Sequence, residues 1–259
     1  MLKLDQIKKF YPQKLHGFDS FIIREYLQYK ILEIIYESKY HQNLIFMGGT
    51  CLRILHDNQR FSEDIDFDNA GLSQEEFSGV RDTIKKELEF EGYTVEVKMV
   101  QKGAYRCYIR FPGLLFSEGL SGHKEQKILI QLDTEPQHFT YKPETSLINK
   151  FDVFTEIHSV PLSILLAQKF YAILNRKRNK GRDFFDVTHL ISLGVTPDFE
   201  YLKHKTGIGD SPTLKEAIIN HCRELDMNDM ANDVAPFLFN PKDKRKVERF
   251  GELIRNKLS

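Results

Sequence analysis

Carboxylates at alternate positions are the first feature of this sequence that could do chemistry. Asp64 and Asp66 stand two residues apart in the run 63–69, and the apolar residues Ile65 and Phe67 alternate with them. Alternate side chains of a strand point to one face, so the two carboxylates are expected to converge. A cation between them would relieve their repulsion, and carboxylate oxygens suit Mg²⁺. The spacing therefore predicts a site for Mg²⁺ or Mn²⁺.

A third acid could complete this site from a neighbouring strand. The run Lys127–Asp133 alternates polar and apolar residues and ends on an aspartate. Three carboxylates can hold two metal ions about 3.5–4 Å apart, which stabilises both the attacking and the leaving oxygen in phosphoryl transfer. Asp133 is therefore the candidate for the third metal ligand. Asp68, the next acid after Asp66, is expected to be solvated.

Two glycines and a threonine lie just before the acids. Gly48, Gly49 and Thr50 follow the short apolar run Leu44–Met47, and 13 residues separate Thr50 from Asp64. Glycine has no Cβ to keep a phosphate away from backbone N–H groups, and a helix beginning here would turn its positive end to the phosphate. The Thr50 hydroxyl is expected to cap that helix. The turn and the acids together predict a site for a triphosphate and its metal.

The overall composition is that of an ordinary globular protein. The 259 residues are 41% hydrophobic and 29% charged, and 37 basic residues balance 37 acidic ones, so no global basic field indicates a nucleic-acid partner. The three cysteines fit neither a disulfide framework nor a zinc pattern. No apolar run of about 18 residues is present and the N-terminus lacks a signal sequence, so no membrane partner is expected and the expected location is the cytoplasm.

Periodicity places the candidate residues on a sheet flanked by helices. Helices are predicted over 20–38 and 73–91, and strands over 44–47, 63–69, 93–100, 104–111 and 126–133. The last three strands are expected to be antiparallel, with a turn at 101–103 and a mobile glycine-containing loop at 112–124. From Pro161 onward only helices are predicted, near 161–174, 182–193, 198–204, 213–224, 227–237 and 243–257. The expected domains are 1–157, which contains the sheet, and 158–259, which is helical.

Two blocks of the sequence resemble a known enzyme family. Gly49-Thr50 followed after 13 residues by Asp64-Ile65-Asp66 resembles the signature of the DNA polymerase beta-like nucleotidyltransferase superfamily. Within it, residues 46–53 and 60–67 resemble the AbiEii/AbiGii toxin-type nucleotidyltransferases. The later block 168–186, with Lys169, an Arg-Asp pair and Asp186, resembles a helical block of the same family. The resemblance covers roughly residues 44–190.

The resemblance implies a fold, an activity and roles for particular residues. It implies an α+β fold in which a polymerase-beta-like mixed sheet flanked by helices precedes a helical C-terminal domain. It also implies transfer of a nucleoside monophosphate from an NTP to an acceptor hydroxyl with release of pyrophosphate. The implied metal ligands are Asp64, Asp66 and, less firmly, Asp133, whose place the final block could take instead. The implied catalytic residues add Lys169, on the triphosphate, and Asp186, near the acceptor; the implied nucleotide-binding residues are Gly48, Gly49, Thr50, Arg53, Arg60, Ser62 and Arg182.

The resemblance also suggests partners, while the residues leave alternatives open. Members act as toxins of toxin–antitoxin or phage-defence systems, and related enzymes modify the 3′ end of tRNA, so a tRNA acceptor and a cognate antitoxin are expected. A small-molecule or protein acceptor is an alternative, as is a catalytically silent nucleotide-binding regulator. Arg53 and Arg60 could simply pair with nearby acids. The basic run 176–182 could contact substrate or be an ordinary solvated helix end.

Overall fold

The computed structural model describes residues 1–102 and 104–258 as a mixed sheet with flanking helices. Its strands are β1 Leu44–Met47, β2 Ile65–Asn69, β3 Glu96–Lys102, β4 Ala104–Pro112, β5 Lys127–Glu135, β6 Glu144–Lys150 and β7 Val153–Ser159. Its α-helices are α1 Leu4–Lys8, α2 Asp19–Tyr36, α3 Gly48–Leu55, α4 Gln74–Phe90, α5 Leu114–Ser117, α6 Leu162–Asn175, α7 Gly181–Ser192, α8 Phe199–Thr206, α9 Ser211–Arg223, α10 Met227–Val234, α11 Arg245–Glu248 and α12 Phe250–Lys257. Gly103, in the predicted 101–103 turn, lies outside the described residues.

Seven strands form one sheet in the order β3-β4-β5-β2-β1-β7-β6. The pairs β2 with β5 and β1 with β7 are parallel, and the other neighbouring pairs are antiparallel. Parallel neighbours need long crossover connections, which the intervening helices and strands supply. The predicted mixed sheet and the helical C-terminal part are therefore confirmed.

The alternation of residues along β2 anchors it in the core. Ile65 and Phe67 are fully buried, whereas Asp64 and Asp66 are half-buried. Burying an aliphatic or aromatic side chain of this size contributes about 1.5–3 kcal/mol, so the apolar face fixes the register of the strand. A shift by one residue would turn the acids into the core. The prediction that the acids share the face opposite the apolar residues is thus met at the level of burial.

Several local predictions need correction. The loop predicted at 112–124 contains the short helix α5, and the hairpin of β6 and β7 was not predicted. Asp68 is not solvated: it is buried, and its Oδ1 accepts a hydrogen bond from the backbone N–H of Gln137 at 2.8 Å. Thr50 does not cap α3, because this helix begins at Gly48 and Thr50 lies inside it. The helix at 73–91 does begin with the expected Ser73–Glu76 capping box.

The chain divides into two compact units, which we describe separately. The sheet unit comprises Met1–Leu55, Phe61–His138 and Pro143–Ser159. The helical unit comprises the chain from Val160 onward together with His56–Arg60 and Phe139–Lys142. The sequence did not anticipate these two short segments, which leave the predicted first domain for the helical unit. In the described part of the chain, no helix is both long and apolar enough to span a bilayer.

Candidate active site

The glycine turn and the acidic strand meet at the end of β1. Met47 pairs with Asp66 across β1 and β2, and Gly48 follows with a φ of +79°, a conformation that L side chains rarely adopt. A Cβ placed on Gly48 would lie 2.2 Å from Oδ2 of Asp66. Gly48 is therefore needed twice, for its backbone conformation and for the space that the Asp66 carboxylate occupies. The structure brings these two predicted site residues together.

Thr50 connects the turn to the second acid. Its hydroxyl donates a short hydrogen bond to the backbone carbonyl of Asp64, and its side chain is fully buried. Thr50 thus holds the chain at Asp64 from inside α3. Gly49, in the first turn of this helix, is also buried. Contact of Gly49 or Thr50 with a phosphate stays a prediction.

Asp133 lies beside Asp66 in register but already has a cationic partner. The two residues are directly opposite on the parallel strands β2 and β5, so their side chains project from the same face of the sheet. Arg106, opposite Asp133 on β4, donates from Nε to Oδ1 at 2.6 Å and from Nη2 to Oδ2 at 3.1 Å, and Gln131 donates to Oδ2 at 2.7 Å. The hydrogen bond to Asp133 is the main reason that the Arg106 pKa is raised. A role for Asp133 as third metal ligand stays a prediction.

The donor chemistry of this corner fits a hard divalent cation. Asp64 and Asp66 offer carboxylate oxygens, and Gly48 leaves room beside one of them. Among the described residues, however, no three His, Cys, Asp or Glu side chains are grouped closely enough to hold a metal ion. The fit is therefore to an ion that takes two protein carboxylates and fills its other positions with water or phosphate oxygens, as Mg²⁺ does.

Arg53, a predicted phosphate contact, is engaged inside the sheet unit. Its Nε and Nη2 donate to the two carboxylate oxygens of Glu25 at 2.8 and 3.2 Å, and Lys150 adds an ion pair to Glu25 at 2.9 Å. Burial alone would raise the pKa of Glu25, but the two cations outweigh it and lower that pKa. This ion pair ties α3, which carries the glycine turn, to α2. Ser62 is likewise buried, and its carbonyl accepts a hydrogen bond from Gln28 at 3.2 Å.

Asp186 is the centre of a buried ionic cluster within the helical unit. Its carboxylate is fully buried and accepts two hydrogen bonds from Arg60, both 2.7 Å long, and one of the same length from Asn58. Lys169 Nζ lies 2.8 Å from Oδ2. Burial alone would raise the pKa of Asp186, but Arg60 and Lys169 outweigh it and hold that pKa well below its usual range. Asp186 is therefore a permanent anion that joins three segments of the chain.

Asp183 extends the cluster by one turn of α7. Lys169 Nζ also lies 3.0 Å from Asp183, and Arg176 pairs with the same carboxylate at 3.2 Å. Burial alone would lower the pKa of Lys169, yet Asp186 and Asp183 raise it overall, so Lys169 is a fixed cation. Its side chain is 12% exposed, which leaves part of the ammonium group accessible. Triphosphate contact by Lys169 stays a prediction that this exposure permits.

The predicted residues thus form two groups, one in each unit. The sheet unit contains Gly48, Gly49, Thr50, Arg53, Ser62, Asp64, Asp66 and Asp133, whereas the helical unit contains Arg60, Lys169, Arg182 and Asp186. The Arg182 guanidinium lies 4.9 Å from the centre of the Phe237 ring. Sequence reasoning missed Arg106 and Asn58 as partners of these acids. The strand register could have revealed Arg106, but no sequence signal pointed to Asn58.

This fold and this arrangement of glycine turn and acids define a nucleotidyltransferase. Residues 30–256 match the family described as "Nucleotidyl transferase AbiEii toxin, Type IV TA system". The match spans most of the chain, so the protein belongs to this family. The resemblance deduced from the two sequence blocks is confirmed, and the protein is a nucleotidyltransferase of a toxin family.

Solved structures agree with this fold at low sequence identity. JHP933 from Helicobacter pylori is 16% identical, with a TM-score of 0.54 over 92% of this chain and 93% of that one. A second H. pylori structure, described as a candidate nucleotidyltransferase, is also 16% identical, with a TM-score of 0.53 over 92% and 95% of the two chains. No protein with a curated description matches the sequence. At such identity, the two neighbours support the fold alone.

Proposed function

We propose that this chain is a Mg²⁺-dependent toxin that transfers a nucleoside monophosphate from an NTP to the 3′ end of tRNA. The observation that carries the proposal is the close approach of Gly48 and Asp66, where an L side chain at position 48 would displace the carboxylate. A glycine turn directly beside acids is what a triphosphate and its metal require. Membership of the nucleotidyltransferase family supports the reaction class.

The residues of the chain divide the work of this reaction. Asp64 and Asp66 would hold Mg²⁺, which when bound supplies positive charge against the phosphate oxygens. Backbone N–H groups at Gly48 and Gly49 would orient the triphosphate. The acceptor oxygen forms its bond to the α-phosphorus while the bond to the pyrophosphate oxygen breaks, and the hydroxyl proton is released. Such catalysis rests on positioning and charge rather than on a covalent intermediate.

Lys169 and Asp186 would support the leaving pyrophosphate in different ways. Lys169 is a fixed cation with an accessible fraction, so it suits contact with a phosphate oxygen. Asp186 is saturated by cationic and amide donors and its pKa is lowered, which makes it a poor proton acceptor. We therefore assign Asp186 to positioning Lys169 rather than to taking the acceptor proton.

Incubation with radiolabelled NTPs, Mg²⁺ and total tRNA tests the proposal. Label should enter tRNA and pyrophosphate should be released, and omission of Mg²⁺ should abolish both. Asp66→Asn should remove several kcal/mol of transition-state stabilisation, about a thousandfold in rate. Glu135→Gln, which removes an exposed acid further along β5, is the matched control and should retain activity. Equal labelling by Asp66→Asn and the wild type would refute the mechanism.

The toxin role has a separate test. Expression of the wild-type chain in a bacterial host should arrest growth, and Asp66→Asn should relieve the arrest at equal protein level. A cognate antitoxin, if encoded beside this gene, should restore growth on co-expression. Label on a protein or a small molecule instead of tRNA would point to the alternative acceptors, and NTP binding without pyrophosphate release would indicate a silent regulator.

A further inference from the structure

Charge is distributed unequally between the two units although the whole chain is neutral. The helical unit contains 19 Lys and Arg against 14 Asp and Glu, a net charge of +5. The sheet unit contains 18 basic and 23 acidic residues, a net charge of −5. A basic excess confined to one unit is the usual electrostatic footprint of a polyanion-binding surface.

The connection between α6 and α7 concentrates this excess. Its sequence, residues 176–180, is Arg-Lys-Arg-Asn-Lys, and Lys177 and Arg178 are exposed. Arg176 pairs with Asp183. Within the part of the chain that the structure describes, Lys177, Arg178 and Lys180 make no ion pair or side-chain hydrogen bond to protein. Three cations within four residues are therefore available to an external anion.

This connecting loop is held in place by its one uncharged residue. Asn179 Nδ2 donates to the carbonyl of Ile173 at 2.6 Å, and Asn179 Oδ1 lies 3.2 Å from the ring Nε2 of His221 on α9. At the far end, the backbone N–H of Gly181 donates to Asp233 at 2.8 Å. A Cβ on Gly181 would lie 1.8 Å from the Met230 carbonyl oxygen, so α7 and α10 are packed in direct backbone contact. The loop is thus anchored on three helices, which lowers the ordering penalty of binding.

We infer that Lys177, Arg178 and Lys180 bind the phosphate backbone of the nucleic-acid acceptor. The inference rests on the proposed function, because that acceptor chemistry supplies a polyanion. Repeating phosphates can engage several closely spaced cations at once, and guanidinium and ammonium groups are the side chains that contact them. Binding through phosphates alone is independent of base sequence and weakens steeply with salt. The loop therefore holds the acceptor without reading its sequence.

Fluorescence anisotropy with a labelled single-stranded RNA of mixed sequence, without NTP, tests this inference. The variant Lys177→Gln/Arg178→Gln/Lys180→Gln is compared with Lys203→Gln/Lys215→Gln/Lys257→Gln, which removes the same charge elsewhere in the helical unit. The loop variant should lower the slope of log affinity against log salt by about two to three, one per lost phosphate contact. The control should keep the wild-type slope. Both variants should bind NTP like the wild type in calorimetry.

Three results would overturn the inference. The loop variant could bind RNA with the wild-type slope, or the control could lose as much slope as the loop variant, which would leave only diffuse attraction. Alternatively, polyglutamate could compete with RNA at equal charge concentration, which would point to an acidic protein partner. Because the assay contains no NTP and measures no transfer, loss of the proposed catalytic function would leave its outcome unchanged.

Discussion

The acidic end of β2 and the cluster around Asp186 contain the same residue type in opposite environments. Asp64 and Asp66 are half-buried and stand beside a glycine turn that leaves space around a carboxylate. Asp186 has no exposed surface and is surrounded by hydrogen-bond donors on Arg60, Asn58 and Lys169. Both regions were predicted to belong to the catalytic site, yet only one has room for a ligand next to its carboxylates.

The difference lies in what balances each negative charge. At Asp186 the protein supplies the cations itself, and a buried ion becomes tolerable only when such partners are complete. At Asp64 and Asp66 the space beside the carboxylate lets a ligand supply part of that balance. The first arrangement stabilises a fold, whereas the second suits binding, and substitutions should separate them.

Removal of the Asp186 charge should have the largest effect on stability. Asp186→Asn leaves Arg60 and Lys169 as buried cations without their counter-ion, which should lower the free energy of unfolding by about 3–5 kcal/mol. Urea denaturation measures this change. Glu200→Gln removes an exposed acid from the same unit and serves as control, with an expected change within about 0.5 kcal/mol. A loss below 1 kcal/mol in Asp186→Asn would mean that the cluster is not a stabilising element.

Addition of a methyl group at Gly48 should weaken both fold and activity. Gly48→Ala places a Cβ against the Asp66 carboxylate at a φ of +79°, so about 1–3 kcal/mol of strain is expected together with loss of transfer activity. Gly207→Ala is the matched control, because Gly207 has a φ of +81° but nothing within 4 Å of an added Cβ. It should lose similar stability and keep its activity. Equal activities of the two variants would show that the space beside Asp66 is not used.

Acidification should affect the buried cluster through a known sign. The pKa of Asp186 is lower in the folded chain than in the unfolded chain, so its contribution is complete above the ordinary aspartate pKa of about 4 and is lost as pH falls below it. Wild-type stability should therefore fall between pH 5 and pH 3 more steeply than that of Asp186→Asn. Urea midpoints at several pH values measure this. Parallel pH profiles of the two proteins would contradict the assignment.

Neutralisation of the acidic strand should have the smallest effect on stability. Asp64→Asn/Asp66→Asn removes two neighbouring like charges at a half-buried position, so the free energy of unfolding should change by less than about 1 kcal/mol without Mg²⁺. Added Mg²⁺ should raise the thermal midpoint of the wild type and leave that of the double variant unchanged. A large destabilisation of the metal-free variant would place these acids with Asp186 as structural groups.

Much of the sheet unit could be predicted because its signals are local. Alternation located β2, the capping box located the start of α4, and two glycines marked the end of β1. The β6–β7 hairpin was missed because the exposed Leu147 and Phe154 obscure its alternation. The environment of Asp68 was wrong because its partner, the Gln137 backbone, is 69 residues away.

The sequence by itself determined the family, the order of helices and strands, and the pairing of a glycine turn with two acids. These depend on residue type, periodicity and spacing over fewer than about 20 residues. Only the tertiary structure decided which charged residues already had partners. Arg106 meets Asp133 through strand register, and Arg60 meets Asp186 across 126 residues of chain. The electrostatic environment of a carboxylate is set by groups brought together in folding, and no local pattern of residues contains that information.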